Sequence, residues 1–193
     1  MCSGTKKSML LLLLFCCFGT PGFAQKWVFA LFKTATQYST NRPFIQLDTT
    51  IKRIWLHPMF RQGYVLVEKI SGKQIISKDS LYGYRTKEGQ YFRFYGNLRE
   101  EYEILECGSI CMYKRIISDY SSKIPQSQVR YYFSLDFGSP IVELSLRNLK
   151  KTFVSNCSLE LILDTEFKEE SSLSQFNSKA HMYQLNYILK SYL

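Results

Sequence analysis

The two histidines of this 193-residue sequence are the first candidates for catalysis, because a hydrolytic triad would need one of them as its general base. His57 precedes Pro58 at the end of a predicted strand, and His181 lies near the start of the last predicted helix. No Gly-x-Ser-x-Gly, His-Glu-x-x-His, Walker or Gly-x-Gly-x-x-Gly motif accompanies them. We interpret both as ordinary surface or half-buried residues.

Carboxylates are the second group that could act as acids or bases. They occur as neighbouring pairs and as isolated residues: Glu100 with Glu101, Glu169 with Glu170, Asp136 and Asp164. Neighbouring side chains on a strand or helix point in different directions, so a sequence pair alone does not make the two-carboxylate site of a glycosidase. We interpret these groups as solvated charges. An extracytoplasmic hydrolase, with a carboxylate site assembled from distant residues, is the alternative function.

Three cysteines, Cys107, Cys111 and Cys157, lie beyond the amino-terminal segment. Cys107 and Cys111 flank a predicted hairpin turn and could form a disulfide in an oxidising compartment. Because neither register considered for this hairpin places them directly opposite, buried free thiols are the favoured alternative. Cys157 has no expected partner. The cysteines and the two remote histidines lack the spacing of metal ligands, so we expect neither a metal nor a cofactor.

Aromatic and basic residues alternate in the clearest hairpin of the sequence, 81–95. The loop Lys87-Glu88-Gly89 suits a type I turn followed by a left-handed glycine. This register pairs Tyr84 with Phe92 and Tyr82 with Phe94, and it assigns these four residues to a core face.

The opposite face of this hairpin is predicted to meet solvent or a partner, and it carries Arg85, Tyr91, Arg93 and Tyr95. Aromatic rings stack, and guanidinium groups bind carboxylate or phosphate in a bidentate manner. The four residues are therefore a candidate shallow site for an anionic or sugar-containing partner. The alternative, which we favour, is that these side chains only stabilise the sheet as cross-strand neighbours.

The elements that position these residues are strands first and helices last. The predicted strands and hairpins lie at 52–56, 64–70, 74–76, 102–115, 131–135 and 141–144, with a loop over 119–128 and no assignment for 25–50. Helical stripes follow, with Ser145 as an N-cap: Leu146, Leu149 and Phe153; Leu159, Ile162, Leu163 and Phe167; Leu185, Ile188, Leu189 and Tyr192. This order predicts an α+β fold, a mainly antiparallel sheet of consecutive hairpins followed by two to three C-terminal helices packed on it.

The first 24 residues are predicted to be a secretory signal peptide, which leaves 25–193 as a single globular α+β domain. Lys6 and Lys7 precede a short apolar run, and small residues lead to a cleavage site between Ala24 and Gln25. The run is too short for a bilayer-spanning helix, which needs about 20 residues, so a membrane anchor is the weaker alternative. Nothing later in the sequence approaches a membrane span.

The composition excludes a disordered or collagen-like chain, because 46% of the residues are hydrophobic and glycine and proline are few. The formal net charge is +9 and becomes +7 once Lys6 and Lys7 are removed. Export and the spread of the charges along the chain argue against nucleic acid as a partner. We favour the interpretation that these charges form a solvated basic face, and acidic glycans or anionic lipid headgroups are the next candidates as partners.

The layout over about residues 50–193 resembles small secreted proteins of unknown function that are typical of Bacteroidota. The resemblance is carried by residues 79–85, Tyr91-Phe92-Arg93-Phe94-Tyr95, the segment 102–108, Asn148-Leu149-Lys150 and the closing helix. It implies no activity and no catalytic residues, but it favours the periplasm, the outer-membrane periphery or the exterior. We therefore expect an exported, non-enzymatic binding or envelope-interaction domain whose partner is an envelope glycan, an anionic lipid headgroup or a protein.

Overall fold

A computed structural model of the protein describes residues 27–56, 63–119 and 126–192, and antiparallel strands make up most of these ranges. The fold is α+β: hairpins follow one another along the chain, and helices come near its C-terminal end. The predicted signal segment 1–24 and the predicted cleavage site between Ala24 and Gln25 lie outside the described residues, and so does His57. Within the described ranges, no helix has the length and apolar character needed to cross a bilayer.

The elements are short. The strands are β1 (Val28–Phe32), β2 (Ile45–Gln46), β3 (Ile51–Trp55), β4 (Tyr64–Lys69), β5 (Gly72–Ser77), β6 (Gly83–Thr86), β7 (Tyr91–Tyr95), β8 (Glu100–Cys107), β9 (Cys111–Asp119), β10 (Gln126–Ser134), β11 (Val142–Glu143), β12 (Phe176–Asn177) and β13 (Met182–Tyr183). The α-helices are α1 (Ala35–Ser39), α2 (Leu146–Thr152), α3 (Cys157–Glu166) and α4 (Gln184–Leu189), with 3-10 helices at Lys78–Ser80 and Glu170–Ser174.

The strands form separate sheets rather than the one sheet expected. The largest has eight strands in the order β11-β10-β9-β8-β7-β6-β1-β2, while β3-β4-β5 and β12-β13 stand apart from it. The unassigned segment 25–50 supplies β1, α1 and β2, and β1 pairs with β6. The expected loop over 119–128 is shorter than predicted, because β9 extends to Asp119 and β10 begins at Gln126; residues 120–125 lie outside the described ranges.

Two different layers cover one face of the eight-stranded sheet, which we call the core face. Cross-strand pairs place Phe92, Glu103, Lys114 and Tyr131 in one row across this face. Phe92, near one end of the row, belongs to a core shared with the three-stranded sheet. Tyr131, at the other end, packs on a core shared with the C-terminal helices. The charged residues in the middle of the row lie between these two apolar clusters.

The 81–95 hairpin has the register predicted from its turn. Tyr84 pairs with Phe92, and their rings stack with centroids 4.8 Å apart. Gly89 adopts a φ of 85°, the left-handed conformation that this turn requires. Tyr84, Phe92 and Phe94 are buried in the core as expected.

Tyr82 does not join these residues, and its assignment to the core face was wrong. Its ring packs on Tyr38 of α1 and under the Arg93 guanidinium, on the other side of the sheet. The alternation breaks at Gly83, where a Cβ atom would lie 2.0 Å from the carbonyl oxygen of Phe92. Only glycine fits this backbone, and the residues on its two sides face opposite ways.

The turn between β8 and β9 is closed by a disulfide between Cys107 and Cys111. The two residues are direct cross-strand partners, because the register shifts between Ile104 and Glu106; neither register that we considered includes this irregularity. Asn186 of α4 is buried against the turn, where it accepts a hydrogen bond from the Ile110 amide at 3.0 Å and donates one to the Ile110 carbonyl at 3.1 Å.

The C-terminal helices begin and pack largely as their hydrophobic stripes predict. Ser145 caps α2 by accepting a hydrogen bond from the Asn148 amide at 3.1 Å. The stripe residues that are fully buried are Leu149, Leu159, Leu163, Phe167, Leu185 and Leu189, and they share a core with Met112 and Phe133 of the sheet. Phe153 and Ile162 are only partly buried at the edge of this core, and Tyr192 is exposed.

We predict that Leu185→Ala lowers the free energy of unfolding by about 2–5 kcal/mol, because it leaves a cavity between α4 and the sheet. Urea denaturation followed by circular dichroism measures the change. Tyr187→Ala, at a position on the same helix that is 51% exposed, is the matched control and should change stability by less than about 0.5 kcal/mol. Equal stabilities for the two variants would show that α4 is not part of the core.

Candidate functional site

The face of the eight-stranded sheet opposite the core face is lined mainly by tyrosines, and we call it the tyrosine face. Its members on the strands are Tyr91, Tyr95, Tyr102, Tyr113 and Tyr132, and they are joined by Tyr38 from α1 and by Tyr82. Adjacent rings contact one another at centroid distances such as 5.1 Å between Tyr38 and Tyr91 and 5.0 Å between Tyr102 and Tyr132. All four residues of the candidate hairpin site lie at this face or along its border.

Arg93 is buried in the tyrosine face, which corrects the expectation that it faces solvent or a partner. Only 5% of the residue is exposed. Its guanidinium donates hydrogen bonds to the Tyr113 hydroxyl at 3.2 Å and to the Ser139 carbonyl at 3.0 Å. The rings of Tyr82 and Tyr95 lie 5.2 and 5.3 Å from the guanidinium carbon. A buried cation needs such a full set of partners, and Arg93 has them within the protein.

The other three residues of the predicted set are half-buried. Arg85 donates hydrogen bonds from Nη1 to Asn41 and to the Tyr91 hydroxyl, both at 3.0 Å. Its guanidinium carbon also lies 4.9 Å from the centre of the Phe29 ring. The set therefore divides in two: Tyr95 lies beside the buried Arg93, whereas Arg85 and Tyr91 form a more accessible group.

The neighbouring carboxylates Glu100 and Glu101 turn to opposite faces of the sheet. Glu100 accepts a hydrogen bond from Arg115 at 2.6 Å on the tyrosine face. Glu101 accepts hydrogen bonds from Tyr84 at 2.8 Å and Lys78 at 3.3 Å on the core face. These two carboxylates thus have separate partners and do not converge on one site.

The isolated aspartates also have local roles. Asp136 lies in a loop, where one of its oxygens accepts hydrogen bonds from the amides of Gly138 and Ser139 and from the Ser139 hydroxyl. These hydrogen bonds lower its pKa. Asp164 pairs with Lys150 across the two helices at 2.6 Å. The described part of the chain contains no group of three or more histidine, cysteine, aspartate or glutamate side chains arranged to hold a metal ion.

Glu169 and Glu170, the second carboxylate pair, have hydrogen-bond partners at the start of a 3-10 helix. Glu170 accepts a hydrogen bond from the Leu146 amide at 3.2 Å, and Glu169 accepts one from the Ser171 hydroxyl at 3.2 Å. His181 is exposed, with a φ of 53°, and Cys157 is an exposed free cysteine.

A second aromatic and basic group, which sequence reasoning missed, lies on the surface where three elements meet. This tryptophan–cation cluster consists of Trp27, Arg53, Trp55 and Lys87. The Arg53 guanidinium carbon lies 5.4 Å from the Trp27 ring centre and 4.6 Å from that of Trp55, and the Lys87 ammonium lies 5.0 Å from Trp27. Trp27 is 48% exposed.

The backbone explains how the cluster is assembled. Ile54 is buried, so its neighbours Arg53 and Trp55 both extend from the opposite face of β3. The Lys87 amide donates a hydrogen bond to the Trp27 carbonyl at 2.9 Å, which aligns the end of β6 with the start of β1. The sequence holds one usable signal, because both of its tryptophans belong to this cluster.

Arg53 and Lys87 differ from Arg93 in the partners of their charged groups. Within the described residues, neither side chain forms an ion pair or a hydrogen bond, and their contacts are with the faces of the indole rings. Their hydrogen-bonding groups are therefore available to a ligand. The tryptophan–cation cluster is the better candidate site, while the centre of the tyrosine face is occupied by the protein's own groups.

Comparison with known proteins gives no relative for this chain: no family model matches it, and neither a curated protein nor a solved structure is significantly similar to it. The function of the protein is therefore inferred from the geometry of the candidate site.

We predict that Arg93→Ala destabilises the fold by about 1–3 kcal/mol, because it leaves the Tyr113 hydroxyl and the Ser139 carbonyl without their buried donor. Arg85→Ala is the control at a half-buried arginine, and it should cost less. Chemical denaturation compares the two variants. A loss for Arg85→Ala that equals or exceeds the loss for Arg93→Ala would contradict the structural role of Arg93.

Burial raises the pKa of the Tyr38, Tyr82 and Tyr84 hydroxyls well above the usual value of about 10. Above that pH the unfolded chain loses tyrosine protons that the folded chain keeps. The unfolded state then binds fewer protons, so the free energy of unfolding falls as the pH rises. We predict that these groups leave stability unchanged between about pH 7 and 9 and lower it above about pH 10.

Tyrosinate absorbance and denaturation at each pH measure this effect. Tyr82→Phe is the informative variant, since the Tyr82 hydroxyl is buried without a hydrogen-bond partner among the described residues. The variant should fold normally at neutral pH and lose stability less steeply in alkali. The same alkaline slope in the variant and the parent protein would contradict the burial of this hydroxyl.

Proposed function

We propose that this protein is an exported, non-enzymatic binding domain that recognises a sugar-containing anionic ligand of the cell envelope through the tryptophan–cation cluster. The observation that carries the proposal is an exposed indole, Trp27, in contact with two cations, Arg53 and Lys87, that have no ion pair among the described residues. Sugar rings stack on indole faces, and guanidinium and ammonium groups bind carboxylates.

The cation–π contacts favour recognition of an anionic ligand, because they position the two cations without neutralising their charges. An arginine or lysine over an indole gains about 0.5–1 kcal/mol at an exposed site, which holds the side chain near one position. An ion pair would instead occupy the guanidinium with a carboxylate of the protein itself. The cluster thus places two cations, whose hydrogen-bonding groups remain open, next to an indole that is 48% exposed.

The overall charge of the protein supports the same class of ligand. The formal net charge of +9, which becomes +7 once residues 1–24 are removed, attracts anionic partners and accelerates their encounter at low ionic strength. Arg85, one of the predicted site residues, adds a further cation at the surface, where its guanidinium carbon lies 4.9 Å from the centre of the Phe29 ring of β1. Arg93 is excluded as a ligand-binding group because it is buried and hydrogen-bonded to Tyr113 and Ser139.

Export is the part of the proposal that depends on the sequence. Lys6, Lys7 and the short apolar run before Ala24 support a cleaved signal peptide. The disulfide between Cys107 and Cys111 is compatible with an oxidising compartment. The resemblance to secreted proteins of Bacteroidota favours the envelope of a Gram-negative cell or its exterior.

We predict that Trp27→Ala and Arg53→Ala each weaken binding to immobilised polygalacturonate by at least about tenfold, which corresponds to about 1.4 kcal/mol. Frontal affinity chromatography on this acidic polysaccharide, with neutral dextran as the reference matrix, measures the change. Binding should also weaken as salt is added, because exposed charges are screened.

The matched control is Phe176→Ala, which removes another exposed aromatic ring in the two-stranded sheet β12-β13. It should bind polygalacturonate as the parent protein does. Two results would refute the proposal: retention of Trp27→Ala equal to that of the parent protein, or no retention of the parent protein on any acidic glycan.

A further inference from the structure

A groove adjoins the tryptophan–cation cluster and shares one of its residues. It has a volume of about 570 Å³ and is lined by Phe29, Leu47, Asp48, Ile51, Lys52 and Lys87. Lys87 belongs to both features, because its ammonium also lies 5.0 Å from the Trp27 ring. The groove and the tryptophan–cation cluster are therefore continuous at Lys87.

The groove combines an apolar lining with charged groups of both signs. Phe29, Leu47 and Ile51 are half-buried and offer carbon surface. Lys52 and Lys87 are exposed and form no ion pair within the described part of the chain. Two ammonium groups beside apolar side chains suit a ligand that has both carboxylates and the carbon faces of rings.

Asp48 adds a negatively charged hydrogen-bond acceptor to the same groove. Its Oδ1 accepts hydrogen bonds from the Thr50 amide and hydroxyl, both at 2.7 Å, and from the Ile51 amide at 3.0 Å. Its Oδ2 accepts none from the described residues. The hydrogen bonds to Thr50 are the main cause of its lowered pKa, so this oxygen belongs to an ionised carboxylate at neutral pH. Such an acceptor suits a ligand hydroxyl group, which can donate a hydrogen bond to it.

We propose that the groove is a second subsite for the ligand of the tryptophan–cation cluster, and that this ligand is a linear acidic polysaccharide bound along its length. The inference rests on the proposed function and goes beyond it by naming the ligand class. Carboxylates meet Lys52 and Lys87, hydroxyls meet Asp48, and one sugar ring stacks on Trp27. Two linked subsites bind a connected ligand more tightly than either binds a single unit.

The experiment measures dissociation constants for galacturonate oligomers of increasing length by isothermal titration calorimetry. Because the second unit binds at a high effective concentration, affinity should rise at least about tenfold between the shortest oligomer and the length that fills both subsites. Lys52→Ala should abolish this gain while leaving the affinity for the shortest oligomer unchanged. Lys151→Ala, at an exposed lysine on α2, is the charge-matched control and should keep the full gain.

The outcomes separate this inference from the proposed function. Affinity that is independent of length, or an equal loss at all lengths in Lys52→Ala, would overturn the second subsite while leaving the cluster as a binding site. Binding of polyphosphate with the same dependence on Lys52 would overturn the choice of a polysaccharide. Binding to vesicles of anionic phospholipid, without binding to any oligomer, would overturn both proposals.

Discussion

The close approach of β6 and β7 at Gly83 is the constraint on which the arrangement of the sheet depends. No side chain fits between this residue and the Phe92 carbonyl, and the residues before and after it face opposite sides of the sheet. Tyr84 then joins the core beside Phe92, while Tyr82 covers the guanidinium of Arg93 on the opposite face. The two tyrosines that flank this glycine therefore place their rings on opposite sides of the sheet.

The protein uses arginine beside aromatic rings in two different ways. At Arg93, removal from water requires that the guanidinium find hydrogen-bond acceptors inside the protein, and a tyrosine hydroxyl and loop carbonyls provide them. At Arg53, the indole faces orient the cation without satisfying its hydrogen bonds, and solvent still reaches the site. Residue type alone does not distinguish an arginine whose donors the protein satisfies from one whose donors remain open; the number of internal acceptors does.

Local patterns were sufficient to predict the features that depend on local geometry. The turn ending at Gly89 sets the register of its hairpin, and Ser145 begins α2, because both depend on residues that are close in sequence. The burial of Arg93 could not be predicted in this way, since its partners Tyr113 and Ser139 lie on other elements. The pairing of Cys107 with Cys111 depends on a register shift in β8 that hydrophobic alternation does not reveal. The tryptophan–cation cluster joins three segments, so no single stretch of sequence contains it.

Asn186 also constrains the order in which the molecule can assemble. Its amide pairs with the backbone of Ile110, a residue 76 positions earlier in the chain. During synthesis the β8–β9 turn emerges well before α4, and closing such a long loop costs more entropy than forming a hairpin. The hairpin can therefore form before the helix docks on it. Leu185 and Leu189 of α4 share one core with Met112 and Phe133 of the sheet, so docking of the last helix completes the burial of this part of the sheet.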